Sequence, residues 1–256
     1  MSASRIRRQL DLVPALLVPT ARAVGWVLPL AAFGLSAGLL SLAVRLGVAL
    51  APAQLAHWVR LATIVAALGC AFLLDDPSEP TTEGVAGSLL LRRVLRVALL
   101  LPATAAWWVA VLWHVRSAHP ALPLPVAALT LEAAAMLAVA VALAAAGSRL
   151  APERRGGVVA APALLALACA AFLLPAPVAL YTPLGSAAWD AAHRRWVVLL
   201  GLALAAFATA CRDPARRRLP SHLRRLAPSL PRDRKARAAG IGDQARPLHL
   251  HRRPPA

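Results

Sequence analysis

The 256-residue chain has few of the residues that a water-exposed surface needs. It contains one lysine, Lys235, and 11 acidic residues, whereas 59% of its residues are hydrophobic and its mean hydropathy is +0.64. Charged residues make up 15% of the chain, against about 25% in soluble domains. This composition excludes a disordered chain, a collagen and an ordinary cytosolic enzyme, and it indicates a membrane protein.

Cysteines and catalytic motifs are also scarce. Cys70, Cys169 and Cys211 lie within or at the ends of apolar runs without CxxC spacing, so we interpret them as packing residues. The chain lacks HExxH and GxxxxGK[ST] motifs. A membrane enzyme would need a nucleophile or a metal set within its spans, and none is evident. We therefore predict that the chain is not an enzyme, binds no cofactor or metal, and cannot itself be a P-loop ATPase.

The apolar residues are concentrated in runs of membrane-spanning length. A helix needs roughly 20 apolar residues to cross a hydrocarbon core of ~30 Å. The fold class we predict is all-α, a polytopic membrane helix bundle of about six transmembrane helices, with five or seven as the alternatives. The six candidate runs are 23–44, 54–74, 97–115, 122–147, 158–180 and 196–211.

Three of these runs carry small residues at helical spacing, which lets neighbouring helix backbones approach closely in a membrane. We expect helix contacts at each of them. The stripes are Gly34 and Gly38 in the first run, Ala134, Ala138, Ala142 and Ala146 in the fourth, and Gly201, Ala205 and Thr209 in the sixth.

Basic residues beside the runs predict the orientation. With the N-terminus in the cytoplasm, the inside segments before the tail carry twice as many arginines as the outside loops, which is the positive-inside asymmetry. Both termini are therefore predicted to be cytoplasmic, and aromatic residues should form a belt at the outer interface. The inside arginines are Arg5, Arg7, Arg8, Arg22, Arg92, Arg93, Arg96, Arg149, Arg154 and Arg155; the outside ones are Arg45, Arg60, Arg116, Arg194 and Arg195; the belt would comprise Trp58, Trp113, Tyr181, Trp189 and Trp196.

These patterns divide the chain into three parts. Residues 1–22 are predicted to be an amphipathic cytoplasmic segment, with a disordered leader as the alternative. Residues 23–211 form the six-helix transmembrane domain. Residues 212–256 are predicted to be a basic, disordered cytoplasmic tail held near anionic lipid by its charge. Nucleic acid is the less favoured partner, because the tail has no aromatic residues for base stacking.

Glu132 is the one carboxylate well inside a predicted span, and an ionisable residue there is a candidate functional group. His114 and Arg60, both toward the outer half, are its candidate partners. Glu132 would take part in proton coupling or line a substrate path. The alternative is a neutral, hydrogen-bonded glutamic acid that pins one helix against another.

The segment between the second and third runs has its own charge pattern, with Asp75 and Asp76 at its start and Arg92 and Arg93 near its end. A cytoplasmic loop of this kind can dock against a soluble partner. The alternative is a solvated connector.

Three short segments carry a resemblance to a known family. They are AFLLDDP at 71–77, RRVLR at 92–96 and CRDPARR at 211–217. They resemble segments of actinobacterial integral membrane permease subunits of ATP-binding-cassette transporters. The resemblance implies a six-helix permease of the bacterial cell membrane that forms a homo- or hetero-oligomer and is energised by a cytoplasmic ATP-binding-cassette ATPase. It makes Asp75, Asp76, Arg92 and Arg93 candidate ATPase-contact residues.

Two functions therefore remain open at the level of sequence. The first is a membrane-spanning permease subunit of an ATP-driven exporter, whose substrate moves along an interface lined by the small-residue stripes. The second is a membrane scaffold or assembly subunit of a larger complex that transports nothing.

Overall fold

The computed structural model describes residues 17–18, 20–22, 24–47, 51–75, 89–121, 124–151, 155–183 and 185–212. Within these ranges the chain is helical and has no strands, and six helices are long and apolar enough to cross a membrane. The predicted six-helix polytopic bundle is confirmed. The helices are α1 (Val27–Arg45), α2 (Pro52–Cys70), α3 (Leu89–Ala118), α4 (Val126–Leu150), α5 (Gly156–Leu173) and α6 (Trp189–Ala210), with a short 3-10 helix at Ala176–Val178.

Several sequence predictions lie outside the described residues. These are the amphipathic pattern of residues 1–16, Asp76 with the rest of the loop 76–88, and the basic tail from 213 onward. They stay predictions.

The helix ends differ from the predicted runs where charges or prolines intervene. α3 begins at Leu89, two turns before the apolar run at 97, because Arg93 and Arg96 find acceptors inside the bundle and continue the helix. α5 ends at Leu173, shortly before Pro175 and Pro177. Each of those prolines lacks the N–H that a further helical turn would need.

α4 is the central helix of the bundle. It packs against α6, α5 and α2, and α2 in turn packs against α1. The buried face of α4 is built from alanines, which let three neighbours approach one helix. α3 packs chiefly against α1, so that it stands apart from α4 and α6 along part of its length. The buried alanines of α4 are Ala133, Ala135, Ala140, Ala142, Ala144 and Ala145.

Large apolar side chains cover the outside of the bundle. Val27, Trp113, Leu173 and Leu202 are each more than 60% exposed. Contiguous apolar surface on this scale is incompatible with water and is matched by lipid chains. The protein is therefore a multi-pass membrane protein.

The tight glycine contacts between α4 and α5 are not at the glycines of the expected stripes. A Cβ built on Gly156 would lie 2.2 Å from the carbonyl oxygen of Ala144, and one on Gly147 would lie 2.7 Å from the carbonyl oxygen of Gly156, so α4 and α5 meet through glycine. A Cβ on Gly34, Gly38 or Gly201 would meet nothing within 4 Å. Within the described part of one chain, those stripes hold no neighbouring helix.

The aromatic-belt prediction is wrong for Trp196. Its side chain is 1% exposed, its ring lies 5.3 Å from that of Tyr181, and its Nε1 donates to the Leu180 carbonyl at 3.0 Å. Its N–H is satisfied by the chain before α6, so the ring belongs to the core. Trp113 is 75% exposed on the bundle surface.

Candidate functional site

Arg60 and Glu132 form a buried ion pair between α2 and α4. The Arg60 Nε donates to Glu132 Oε2 at 2.7 Å and its Nη2 donates to Oε1 at 2.8 Å. The two side chains are 3% and 4% exposed. This two-point geometry is the strongest form of a guanidinium–carboxylate pair. Of the two candidate partners of Glu132, the structure brings Arg60 to it.

The connection between α5 and α6, and α6 itself, complete this cluster. The Arg60 guanidinium lies 5.0 Å above the Tyr181 ring, and its Nη2 is 3.5 Å from the Thr182 carbonyl oxygen. His193 of α6 places Nε2 3.2 Å from Glu132 Oε1, outside the direction of a hydrogen bond, while its Nδ1 donates to the Trp189 carbonyl at 2.8 Å.

His193 was missed by the sequence interpretation, which named only Arg60 and His114 as partners of Glu132. An ionisable residue one turn before an apolar run was the available signal. His114 does not join the cluster: it lies on α3, and among the described residues its Nε2 has no hydrogen-bond partner.

The cluster ties α2 to α4 and leaves little room for a ligand. The cavity beside it measures about 10 Å³, which is the space of one water molecule. The Glu132 carboxyl group contacts a guanidinium, which keeps its charge at all accessible pH values. The proton-coupling role of Glu132 stays a prediction.

A second polar cluster lies at the opposite end of the bundle, around Arg93 of α3. Its Nη2 donates to Ser148 Oγ at 2.6 Å, and its Nη1 donates to the carbonyls of Ala145 at 3.3 Å and Ala210 at 3.5 Å. Arg149 also donates to the Ala210 carbonyl, at 2.6 Å. The last carbonyls of a helix have no partner within the helix and carry partial negative charge. Ala210 is the last residue of α6, so Arg93 and Arg149 close the end of α6, while the contacts with Ala145 and Ser148 join Arg93 to α4.

Asp75 caps α5 at this same end. Its Oδ1 accepts a hydrogen bond from the Gly157 N–H at 2.8 Å. Burial raises the pKa of Asp75, and the backbone donors of Gly157 and Gly156 and the charge of Arg155 act against that rise. The carboxylate thus satisfies a donor at the N-terminus of a helix.

The candidate ATPase-contact residues divide into two groups. Asp75 caps a helix and Arg93 is 4% exposed, so both have contacts inside the bundle. Arg92 is half-buried, and Asp76 lies outside the described residues. ATPase contact stays a prediction for all four, and the structure gives Asp75 and Arg93 a structural role as well.

An apolar cleft of about 460 Å³ lies where α3 stands apart from α4 and α6. Leu101 of α3 and Leu204 of α6 are more than half exposed at its edge, so it opens sideways toward lipid. Ala134 and Ala138 of the α4 stripe line it, and Trp108 Nε1 donates to Thr130 Oγ1 at 3.0 Å across its outer part. Its lining comprises Cys70, Leu73, Val97, Leu100, Leu101, Thr104, Ala105, Trp107, Trp108, Thr130, Ala133, Ala134, Leu137, Ala138, Val141, Leu204 and Phe207.

No protein family, curated protein or solved structure matches the chain. Its function must therefore be argued from its own residues and geometry.

Proposed function

We propose that the chain is the membrane-spanning permease subunit of an ATP-driven exporter in a bacterial cell membrane. The observation that carries this proposal is the cleft, because it is a ligand-sized apolar space that is open to the bilayer and bounded by four helices. A static bundle core would fill such a volume with side chains. Two of the lining residues belong to the small-residue stripe of α4.

The energy source is proposed to be a separate cytoplasmic ATPase. The chain has no P-loop motif, and its segments at 71–77, 92–96 and 211–217 resemble permease subunits that pair with such ATPases. The described parts of these segments all lie at the Arg93 end of the bundle, where Arg93 and Arg96 bond to Ala210 and Leu74. A partner docked at that end would reach α2, α3 and α6 together.

Purification of the full chain from its native membranes tests the proposal. We expect a cassette ATPase to copurify, and its ATP hydrolysis to rise when the chain is present. Recovery of other membrane proteins without any ATPase, and without a response to nucleotide, would contradict the proposal.

A charge reversal at the half-buried Arg92 tests the docking end. Arg92→Glu should weaken ATPase association while leaving membrane insertion and the amount of protein unchanged. Arg116→Glu, at the other end of the same helix, is the matched control and should have no effect on the association. Equal behaviour of the two variants would rule out docking through this end of α3.

The scaffold function is favoured by one observation. The Arg60–Glu132 pair and the Arg93 cluster fasten both ends of the bundle through buried polar contacts, as a subunit held in one conformation requires. In that case the same purification should recover partner membrane proteins whose association does not depend on nucleotide.

A further inference from the structure

The cleft has the dimensions of a hydrocarbon chain. Its lining runs along α3 from Val97 to Trp108 and along α4 from Thr130 to Val141, which at ~1.5 Å per helical residue is a length of about 16 Å. Its volume of about 460 Å³ lies within the ~300–1,000 Å³ typical of small-ligand sites. The lining residues carry no charge, and their polar side-chain groups are small or already bonded within the protein.

The rim of the cleft favours a thin occupant over a helix. Leu101 and Trp108 stand on the α3 side and Leu204 and Phe207 on the α6 side. The small residues between them belong to α4. Helices dock on small residues only when both backbones can approach closely, and large side chains on either side prevent that approach. A flexible hydrocarbon chain can pass between them.

Two arginines of α3 lie beyond the cleft, toward the predicted cytoplasmic end of the bundle. Arg93 and Arg96 precede Val97 and Leu100 by four residues each, and residues four apart share one face of a helix. Arg93 and Arg96 are 4% and 8% exposed and donate to the carbonyls of Ala210 and Leu74, so their positive charges lie inside the bundle at the level where the cleft ends. Basic pockets between helices on the cytoplasmic side bind anionic lipid headgroups. A lipid with its chain in the cleft would have its headgroup at this level of the membrane.

We propose that the cleft binds one acyl chain of an anionic phospholipid from the cytoplasmic leaflet, with the headgroup near the Arg93 and Arg96 end of α3. The binding site deepens the proposed function by naming the substrate class, an amphiphile with a long apolar chain, and to that extent it rests on that function. Occupation of the cleft does not itself require an ATPase.

Photolabelling of the purified full chain in vesicles tests the site. The probe is a phosphatidylglycerol with a diazirine on one acyl chain, and its counterpart is a phosphatidylcholine with the same chains. We expect the label on α3 between 97 and 108 and on α4 between 130 and 141. The anionic probe should label about five-fold more strongly, as expected for about 1 kcal/mol from a basic residue near the headgroup. Equal labelling of all six helices, or no preference for the anionic probe, would overturn the proposal.

Filling the cleft gives the matched comparison. Ala134→Leu with Ala138→Leu should lower labelling about ten-fold, because the new side chains exclude several methylene groups of the lipid. Ala146→Leu makes the same change on the same stripe outside the cleft, at an exposed position, and should leave labelling unchanged. Monodisperse elution of all variants shows that they are folded. An equal loss in both variants, or labelling that persists in the filled cleft, would contradict the site.

The two proposals fail in different ways. Labelling in the cleft without any copurifying ATPase would retain the lipid site and reject the exporter. A copurifying, stimulated ATPase without labelling in the cleft would retain the exporter and reject the lipid site.

Discussion

At the residue scale, the buried arginines Arg60 and Arg93 both join helices through polar contacts, but their partners differ in charge. Arg60 neutralises a carboxylate that α4 carries into an apolar environment, where an isolated charge is costly. Arg93 instead donates to neutral oxygens, which are Ser148 Oγ and the Ala145 carbonyl of α4 and the Ala210 carbonyl at the end of α6. Arg60 joins α2 to α4, and Arg93 joins α3 to α4 and α6.

Removing Glu132 should destabilise the protein, because it leaves Arg60 as an unpaired buried charge. We expect Glu132→Leu to lower the free energy of unfolding by about 3–5 kcal/mol, because Arg60 then stays buried without its partner. The double variant Arg60→Met with Glu132→Leu should recover most of that loss. Denaturant unfolding in detergent, followed by tryptophan fluorescence, measures both.

Asp190→Asn is the control for this pair, since Asp190 is an exposed carboxylate in α6 near the same end of the bundle. It should change stability by less than about 0.5 kcal/mol. A double variant as unstable as the single one would show that the pair does not account for the loss.

Arg93 should be replaceable only in part by lysine. Arg93→Met removes the hydrogen bonds to Ser148, Ala145 and Ala210 and should cost at least about 1.5–3 kcal/mol, the contribution of one hydrogen bond to a charged group. Arg93→Lys keeps the charge but loses the planar fork, so its loss should fall between that variant and the native protein. The same unfolding assay applies. Arg45→Met, at an exposed arginine, should be neutral; a comparable loss there would point to a general effect of arginine removal.

At the element scale, glycine decides which helices can touch. Gly156→Ala should cost about 1–3 kcal/mol, because its Cβ would overlap the Ala144 carbonyl and force α4 and α5 apart. Gly34→Ala meets open space in the single chain and should be neutral or slightly stabilising. Thermal unfolding of the two variants compares them directly. If Gly34→Ala were as damaging as Gly156→Ala, α1 would have to pack against a second chain.

The number and the order of the spans were predictable, because apolar length is a local property of the sequence. The start of α3 was not predictable. Hydropathy treats Arg93 and Arg96 as charges in water and contains no information about the carbonyls that accept their hydrogen bonds. The Arg60–Glu132 contact could be predicted, because few ionisable residues lie inside the spans and a buried charge needs a partner. The cleft could not be predicted from the sequence, because it depends on the distance of α3 from α4 and α6.

At the scale of the whole molecule, an even number of spans places the start of α1 and the end of α6 on the same side of the membrane. The arginine distribution predicts that this side is the cytoplasm. A C-terminal phosphatase reporter, which is active only outside the cytoplasm, should therefore stay silent. The same reporter inserted after His119, between α3 and α4, should be active. The reverse pattern would invert the orientation.

The Arg93 cluster also has a consequence for the order of synthesis. Arg93 is made 52 and 55 residues before Ala145 and Ser148, and 117 residues before Ala210. At ~5–20 residues per second, the last of these partners emerges roughly 6 to 23 s after Arg93. During that interval Arg93 can bind Ala145 and Ser148 of α4 once they are made, but it has no carbonyl of α6 to bind. The Arg93 end of the bundle can therefore close only after α6 has been synthesised.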